Sequence, residues 1–209
     1  MLTYDRETAV AHLRRADTVL ARLIDTVGPF TLEPLSGSYR SLARAIFFQQ
    51  LAGPAARAIM KRVLDLLGTD DERFFTPEQF LAATDEDLRA AGLSRQKLAY
   101  LRDLAEKFAT AELREDEFAH LDDEEVIRRV SAVKGIGRWT AEMFLIFSLG
   151  RPDVLPVDDL GVRRGFQQVY GLDGLASPEQ MRTIAEPWRP FRSVGTWYMW
   201  RSLGAALPE

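Results

Sequence analysis

The chain has 209 residues, with 27 Lys and Arg against 31 Asp and Glu, a formal net charge of −4 and a hydrophobic content of 46%. The charged fraction of 28% is that of an ordinary folded protein and argues against a disordered chain. With no cysteine, disulfides, a thiolate nucleophile, cysteine zinc sites and a cysteine-held iron–sulfur cluster are excluded, and two histidines, His12 and His120, leave no basis for a His-rich metal site. The opening MLTYDRETAV has no basic flank before an apolar run. No stretch of about 18 apolar residues occurs. The expectation is therefore a soluble, cytoplasmic protein without a leader and without a membrane partner. The slight net acidity speaks weakly against nucleic-acid binding, which depends on where positive charge sits rather than on its total.

Taken in order, almost every segment predicts helix. From Asp5 to Val27 the residues Val10, Leu13, Leu20, Leu23 and Ile24 recur at three- and four-residue spacings, predicting one helix that stops at Gly28-Pro29. Phe30 to Gly37 is a connector. Ser38 is a candidate N-cap for a helix carrying Leu42, Ile46, Phe47 and Leu51. Gly53-Pro54 ends it and opens the next, to Leu67. Short helices follow at Thr76-Pro77 and at Asp85. A longer amphipathic one covers Ser94 to Thr110 through Leu98, Leu101, Leu104 and Phe108. Further helices are predicted from Asp122 or Asp123 to about Ala132, from Arg138 to Leu149, and from Asp158 or Asp159 to Tyr170. Two more start at Ser177-Pro178 and at Pro190 or Phe191, the last running through Trp197, Trp200 and Leu203. No run alternates with period two, so the fold class is all-α, as two small helical lobes with a cleft between them. Residues 36–155 form the expected central lobe, and 1–35 plus 156–209 the second.

One segment carries more than helix periodicity. In Val130 to Phe144 a helix ends, a tight turn follows at Gly135-Ile136-Gly137, and a second helix begins near Arg138. Glycines let a backbone turn sharply and approach another molecule closely. The first N–H groups of the next helix suit a phosphate, with Lys134 and Arg138 adding charge. Taken alone, the same turn is also an ordinary interhelical connection.

The wider string narrows this. Lys134-Gly-Ile-Gly-Arg-Trp-Thr-Ala141, followed by Leu155-Pro-Val-Asp-Asp-Leu-Gly-Val-Arg163, resembles the helix-hairpin-helix (HhH-GPD) DNA glycosylases, and most of all their DNA-3-methyladenine glycosylase II branch. Arg44-Ala-Ile-Phe-Phe-Gln-Gln-Leu51 upstream, Trp188-Arg-Pro-Phe-Arg-Ser193 downstream and Trp200 extend the resemblance to roughly residues 37–203. Three features depart from the family. Lys134 stands where the hairpin often has Pro. There is no room before Ser38 for the β-sheet domain of larger members. A four-cysteine iron–sulfur cluster cannot be held.

The resemblance implies a monofunctional base excision repair enzyme that flips an alkylated, cationic base such as 3-methyladenine or 7-methylguanine out of double-stranded DNA and hydrolyses its N-glycosidic bond. The hairpin, at about 130–149, implies a phosphate anchor made by Lys134, Gly135, Ile136, Gly137, Arg138 and Thr140, with the DNA-binding cleft between the lobes. A monovalent cation, Na+ or K+, on the carbonyls of Ser131, Val133 and Ile136 often bridges hairpin and phosphate in the family; no other cofactor is required. Leu51 is the implied DNA wedge, with Gln50 beside it; Leu51 as the last core residue of its helix is the plainer alternative. The catalytic carboxylate is implied at Asp159, counting without gaps from Trp139 and matching Phe166. Asp158 is then an N-cap or supporting acid, or the catalytic acid itself if Pro156-Val157 alone sets the alignment. Trp139 occupies the place where bifunctional members carry a nucleophilic Lys, which implies no lyase activity.

The implied base pocket is aromatic, because a cationic base stacks favourably on electron-rich rings. Its candidates are Trp139, Trp200, Phe144 and Phe48, with Met143 where a relative has an aromatic. Phe47, Tyr39, Trp197 and Tyr198 are further candidates. Most of these also read as core. Arg44, Arg57, Lys61, Arg95, Lys97, Arg163 and Arg164 are available to a DNA face, and the acidic run from Glu112 to Glu125 is expected to point away from it. The expected state is a monomer, nucleoid-associated or nuclear. The alternatives are a non-catalytic helix-hairpin-helix DNA-binding module and a glycosylase for another lesion, such as uracil or a mismatch.

Overall fold

The computed structural model describes residues 2–35 and 37–204, so the ends of the two expected lobes at 1, 36 and 205–209 lie outside the described residues. All regular structure among the described residues is helical.

The stretch predicted as one helix over 5–27 is two: α1 (Arg6–Ala16) and α2 (Thr18–Val27). The break is Asp17, whose backbone is extended (φ −147°, ψ 112°). Its Oδ1 accepts the N–H groups of Val19 (2.9 Å) and Leu20 (3.0 Å), capping α2. Its Oδ2 accepts from the Tyr170 hydroxyl (2.6 Å) and Trp188 Nε1 (3.0 Å). Apolar periodicity runs across the break because both helices bury their inner faces, Ala9 and Leu13 in α1, Leu20 and Ile24 in α2.

The next helices are α3 (Ser38–Phe48), α4 (Gly53–Leu66), α5 (Pro77–Ala82), α6 (Asp85–Ala90), α7 (Arg95–Ala109) and α8 (Asp123–Val130). After them come α9 (Arg138–Phe147), α10 (Leu160–Tyr170), α11 (Pro178–Ala185), a 3-10 turn at Glu186–Trp188, and α12 (Arg192–Ser202). Ser38 does not cap α3 as expected; it is the first helical residue, and its N–H donates to the Glu115 carboxylate at 3.0 Å. The other predicted starts hold, with Thr76 and Ser177 in capping boxes and Ser94, Asp122 and Asp159 as N-caps.

The chain divides into two compact units, residues 37–144 and residues 2–35 with 145–204. In the first, α7 packs on α3 and α5, and α3 on α4. Its core holds Leu42, Ile46, Leu101 and Leu104 around the rings of Phe47, Phe75 and Phe80, with centroids 6.4 and 5.2 Å apart. In the second, α10 packs on α12 and α2. Gly165 makes that contact possible, since a Cβ there would sit 2.5 Å from the Met199 carbonyl oxygen. Residues 145–155, expected in the central lobe, group with the second unit. Hydrogen bonds hold them there: the Phe147 carbonyl accepts from Leu35 N–H (2.7 Å) and Ser193 Oγ from Val154 N–H (2.9 Å). Asp153 accepts from Arg189 (2.6 Å) and Arg192 (2.7 Å). No helix among the described residues is long and apolar enough to cross a membrane.

Candidate active site

The second unit presents a carboxylate held from two sides. Asp159 closes a turn, its N–H donating to the Pro156 carbonyl at 3.1 Å, and then caps α10. Its Oδ1 accepts the N–H of Val162 at 2.7 Å and Trp200 Nε1 at 2.9 Å. Asp159 is 7% exposed and Trp200 4%. The far face of the Trp200 indole stacks on Phe147, centroids 5.4 Å apart with the planes 29° off parallel. Trp200 thus spans from a helix end to the carboxylate, and the group sits at the positive end of an 11-residue helix. Burial strengthens the field such a carboxylate exerts on a neighbouring charge. Asp158 is exposed and does not cap the helix; Asp159 does that itself.

The first unit presents the hairpin. Gly135 has φ +82°, and a Cβ there would lie 2.1 Å from the Tyr100 ring, so both backbone and packing require glycine. Gly137 faces open space. Its carbonyl accepts from Ala141 N–H (3.1 Å), the first intrahelical bond of α9, so the N–H groups of the first turn, those of Arg138 and Thr140 among them, lie ahead of that ladder. Ile136 is buried, and its N–H is spent on the Val133 carbonyl at 3.1 Å. Thr140 is buried as well.

The hairpin's charges are not loose. Lys134 donates its backbone N–H to Asp103 Oδ2 at 2.9 Å and its ammonium lies 3.3 Å from Oδ1. Arg138 grips Glu124 with two nitrogens, at 2.9 and 2.5 Å, and reaches Glu142 at 3.1 Å. Hydrogen bonding to Glu124 holds the Arg138 guanidinium above its ordinary value, and the same contact holds the Glu124 carboxyl below its own. Within the acidic run 112–125, expected to face away from DNA, Glu124 lies against the hairpin itself. That residue opens α8, and the α8–α9 hairpin geometry brings its side chain to the start of α9.

Gln50 and Leu51 form the turn after α3. Gln50 adopts a left-handed backbone (φ +56°), and Leu51 is 39% exposed, so its side chain is not a core residue of α3. Gln49, which the sequence reading passed over, donates Nε2 to the Gly135 carbonyl at 2.9 Å and joins this turn to the hairpin.

Among the aromatic candidates, Trp139 is 43% exposed on the first turn of α9. Phe144 is core, edge-on to Phe118 at 5.4 Å, and Met143 is buried. Phe48 is half-buried under the Arg44 guanidinium, 5.5 Å from its ring. Tyr39, Phe47, Trp197 and Tyr198 are all buried. Several basic residues are engaged within the chain: Arg44 with Asp71 (2.9 Å), Lys61 with Asp65 (2.7 Å), Arg163 with the Ala176 carbonyl (2.8 Å) and Lys97 with the Phe47 carbonyl.

The carbonyls of Ser131, Val133 and Ile136 suit a monovalent cation. Oxygen donors are the right kind, and the Val133 carbonyl keeps a second lone pair beyond its bond to Ile136. Ser131 also carries a buried Oγ with no hydrogen-bond partner. Among the described residues, no group of three or more His, Asp or Glu side chains gathers as a metal site.

A family model described as "HhH-GPD superfamily base excision DNA repair protein" matches residues 43–190. DNA-3-methyladenine glycosylase 1 of Schizosaccharomyces pombe is 36% identical over 198 residues, covering 93% of this chain and 86% of that protein. The crystal structure of a DNA-3-methyladenine glycosidase from Bacillus halodurans superposes with a TM-score of 0.86 at 35% identity, covering 98% of this chain and 92% of that one. The S. pombe 3-methyladenine DNA glycosylase in complex with abasic DNA gives a TM-score of 0.81 at 34% identity, covering 97% and 100%.

Proposed function

This chain belongs to the HhH-GPD superfamily of base excision DNA repair proteins, and on that premise we propose that it is a monofunctional DNA glycosylase. It binds double-stranded DNA and hydrolyses the N-glycosidic bond of flipped, alkylated bases such as 3-methyladenine and 7-methylguanine. The observation that carries this reading is the buried Asp159–Trp200 pair at the head of α10, supported by relatives named for the same activity.

Cleaving the bond leaves positive charge on the sugar. A fixed carboxylate stabilises that charge as it develops, and orients the attacking water. Two hydrogen bonds on Asp159 Oδ1 fix its direction beforehand, so little reorganisation is required at the moment of reaction. Exposed Asp158 is the supporting acid or the alternative catalytic one. An alkylated base leaves as a neutral species, so no general acid is needed, in keeping with a chain holding two histidines.

The remaining parts serve to present the nucleotide. Backbone N–H groups at the start of α9 take a phosphate, while Lys134 and Arg138 keep the hairpin rigid through Asp103 and Glu124. The carbonyls of Ser131, Val133 and Ile136 would hold a Na+ or K+ ion, which would supply positive charge for phosphate binding. Leu51 fills the space the flipped nucleotide vacates, with Gln50 beside it. Trp139, exposed, offers a ring face to the cationic base. Trp200, Phe48, Met143 and Phe144 are the other pocket candidates, Phe144 lying in the core against Phe118. Because an indole cannot form a Schiff base, Trp139 also supports strand cleavage being absent. The enzyme acts as a monomer at the nucleoid, or in the nucleus of a eukaryote.

The test is a base-release assay over duplexes carrying alkylated, deaminated and mismatched bases, with borohydride added in parallel. The reading expects methylpurine release and no covalent complex. Release from uracil or mismatch duplexes alone replaces the lesion class, no release with intact DNA binding favours a binding module, and a trapped complex overturns the monofunctional assignment.

A further inference from the structure

We propose that Gln49 is a positioning residue that locks the wedge turn to the phosphate-binding hairpin, so that gripping the backbone and inserting Leu51 occur in one fixed register. The proposal rests on the glycosylase reading above.

The geometry lies wholly within residues 37–144. Gln49 is the C-cap of α3, with its N–H still bonded to the Ala45 carbonyl at 3.2 Å, so its backbone is anchored while its side chain leaves the helix. That side chain ends on the Gly135 carbonyl, 2.9 Å from Nε2. A carbonyl oxygen only accepts, which settles which end of the carboxamide faces it. The peptide joining Gly135 to Ile136 is thereby held at both ends: Gln49 donates to its oxygen, and its N–H donates to the Val133 carbonyl at 3.1 Å.

On the other side of Gln49 the chain enters the left-handed residue Gln50 and then exposed Leu51. A turn of this kind, with one weak backbone bond from Leu51 N–H to the Phe48 carbonyl at 3.4 Å, has little of its own to hold it. Helix α7 braces both partners. The Lys97 ammonium sits on the Phe47 carbonyl at the end of α3, and Tyr100, steadied by Gln96 at 2.6 Å, packs against Gly135. Gln49 is the direct link between the two braced parts. Holding groups in place before binding saves the ordering that binding otherwise requires.

The test compares wild type, Gln49→Met, Leu51→Ala and the double variant. Binding to a plain duplex and to one with an abasic-site analogue is measured by fluorescence anisotropy, alongside thermal unfolding and base release by the wild type. Gln49→Met keeps the length and removes the donor. It should hold the plain duplex within about twofold of wild type and lose roughly 3- to 10-fold in preference for the abasic duplex, the worth of one hydrogen bond. In the Leu51→Ala background it should cause no further loss of preference, because the wedge it positions is gone. Gln49→Leu, which also removes the donor and adds no charge, should repeat the pattern and covers the case of poor folding in the Met variant. An equal loss on both duplexes, or an undiminished loss of preference when Leu51 is already Ala, overturns the proposal and leaves Gln49 a plain staple. A wild type that releases no base from methylated DNA overturns the glycosylase reading, and the proposal falls with it.

Discussion

Trp200 Nε1 and the N–H of Val162 meet on the same oxygen of Asp159, at 2.9 and 2.7 Å. One donor comes from the last turn of α12 and the other from the first turn of α10, so the direction of the carboxylate is set by how these two helices pack. The proposed catalytic acid is thus also a structural cap, and substitutions at this pair must be read with both roles in view.

Asp159→Asn separates the roles. Asparagine caps helices about as well as aspartate, and its Oδ1 accepts the same two hydrogen bonds. The variant should unfold within a few degrees of wild type while releasing 7-methylguanine at least about 100-fold more slowly, the scale of losing one preorganised electrostatic group. Asp159→Ala should add a stability loss of about 1 kcal/mol from the missing cap. Single-turnover release together with thermal unfolding checks both. Asn activity equal to wild type would remove Asp159 from the chemistry and move the role to Asp158.

Trp200→Phe keeps a ring against Phe147, deletes the indole donor and leaves the space of the second ring empty. Stability should drop by about 1–3 kcal/mol. Base release should slow by roughly 10- to 100-fold, because the carboxylate loses the bond from α12 and drifts from its productive direction. Loss of stability with an unchanged release rate would mean that the contact is structural alone.

Leu51→Ala tests the wedge. An exposed leucine on a turn contributes little to folding, so unfolding should shift by no more than about 0.5 kcal/mol. Binding to an abasic duplex should weaken by roughly tenfold relative to plain duplex, the worth of one apolar side chain buried against bases. Equal weakening on both duplexes would refute the insertion.

Helical periodicity was enough to place nearly all the helices, because their caps are local signals: Thr76, Ser94, Asp122 and Ser177 announce themselves beside the helices they start. The failures share one cause, contacts between residues far apart in sequence. The break at Asp17 is invisible in the spacing of Leu13, Leu20 and Ile24, since it depends on Tyr170 and Trp188 more than 150 residues away. Glu115 takes over the capping of α3 from across its unit. At the candidate site the motif residues themselves were readable, Asp159 and Leu51 among them. Their supports were not. A glutamine at a helix end, a tyrosine on α7 or a phenylalanine at the end of α9 has no sequence signature for the carbonyl, glycine or indole it meets. Arg138 shows the reverse case: its charge was legible, but its pairing with the Glu124 carboxylate was not.

Asp17 gives a prediction in pH. Burial raises its pKa, but hydrogen bonds from Tyr170, the Leu20 N–H, Trp188 and the Val19 N–H outweigh burial and leave it below the ordinary 3.8. The Tyr170 hydroxyl, pushed up by burial and by its bond to Asp17, stays a donor throughout the acidic range. A carboxyl whose folded pKa is depressed stabilises the fold fully above its unfolded value, and that contribution is lost as pH falls through the lower folded value. Asp17→Asn keeps the cap on α2, but its amide nitrogen cannot accept from both Tyr170 and Trp188. The variant should therefore be less stable by about 1–3 kcal/mol near neutral pH. The gap to wild type should hold from about pH 7 to about pH 5 and narrow below 3.8 as the wild-type carboxylate takes up its proton. Urea unfolding of both proteins across that range measures the difference directly. A gap that stays constant into strong acid would show that the charge on Asp17 contributes nothing, and that its hydrogen-bonding shape alone joins α2 to Tyr170 and Trp188.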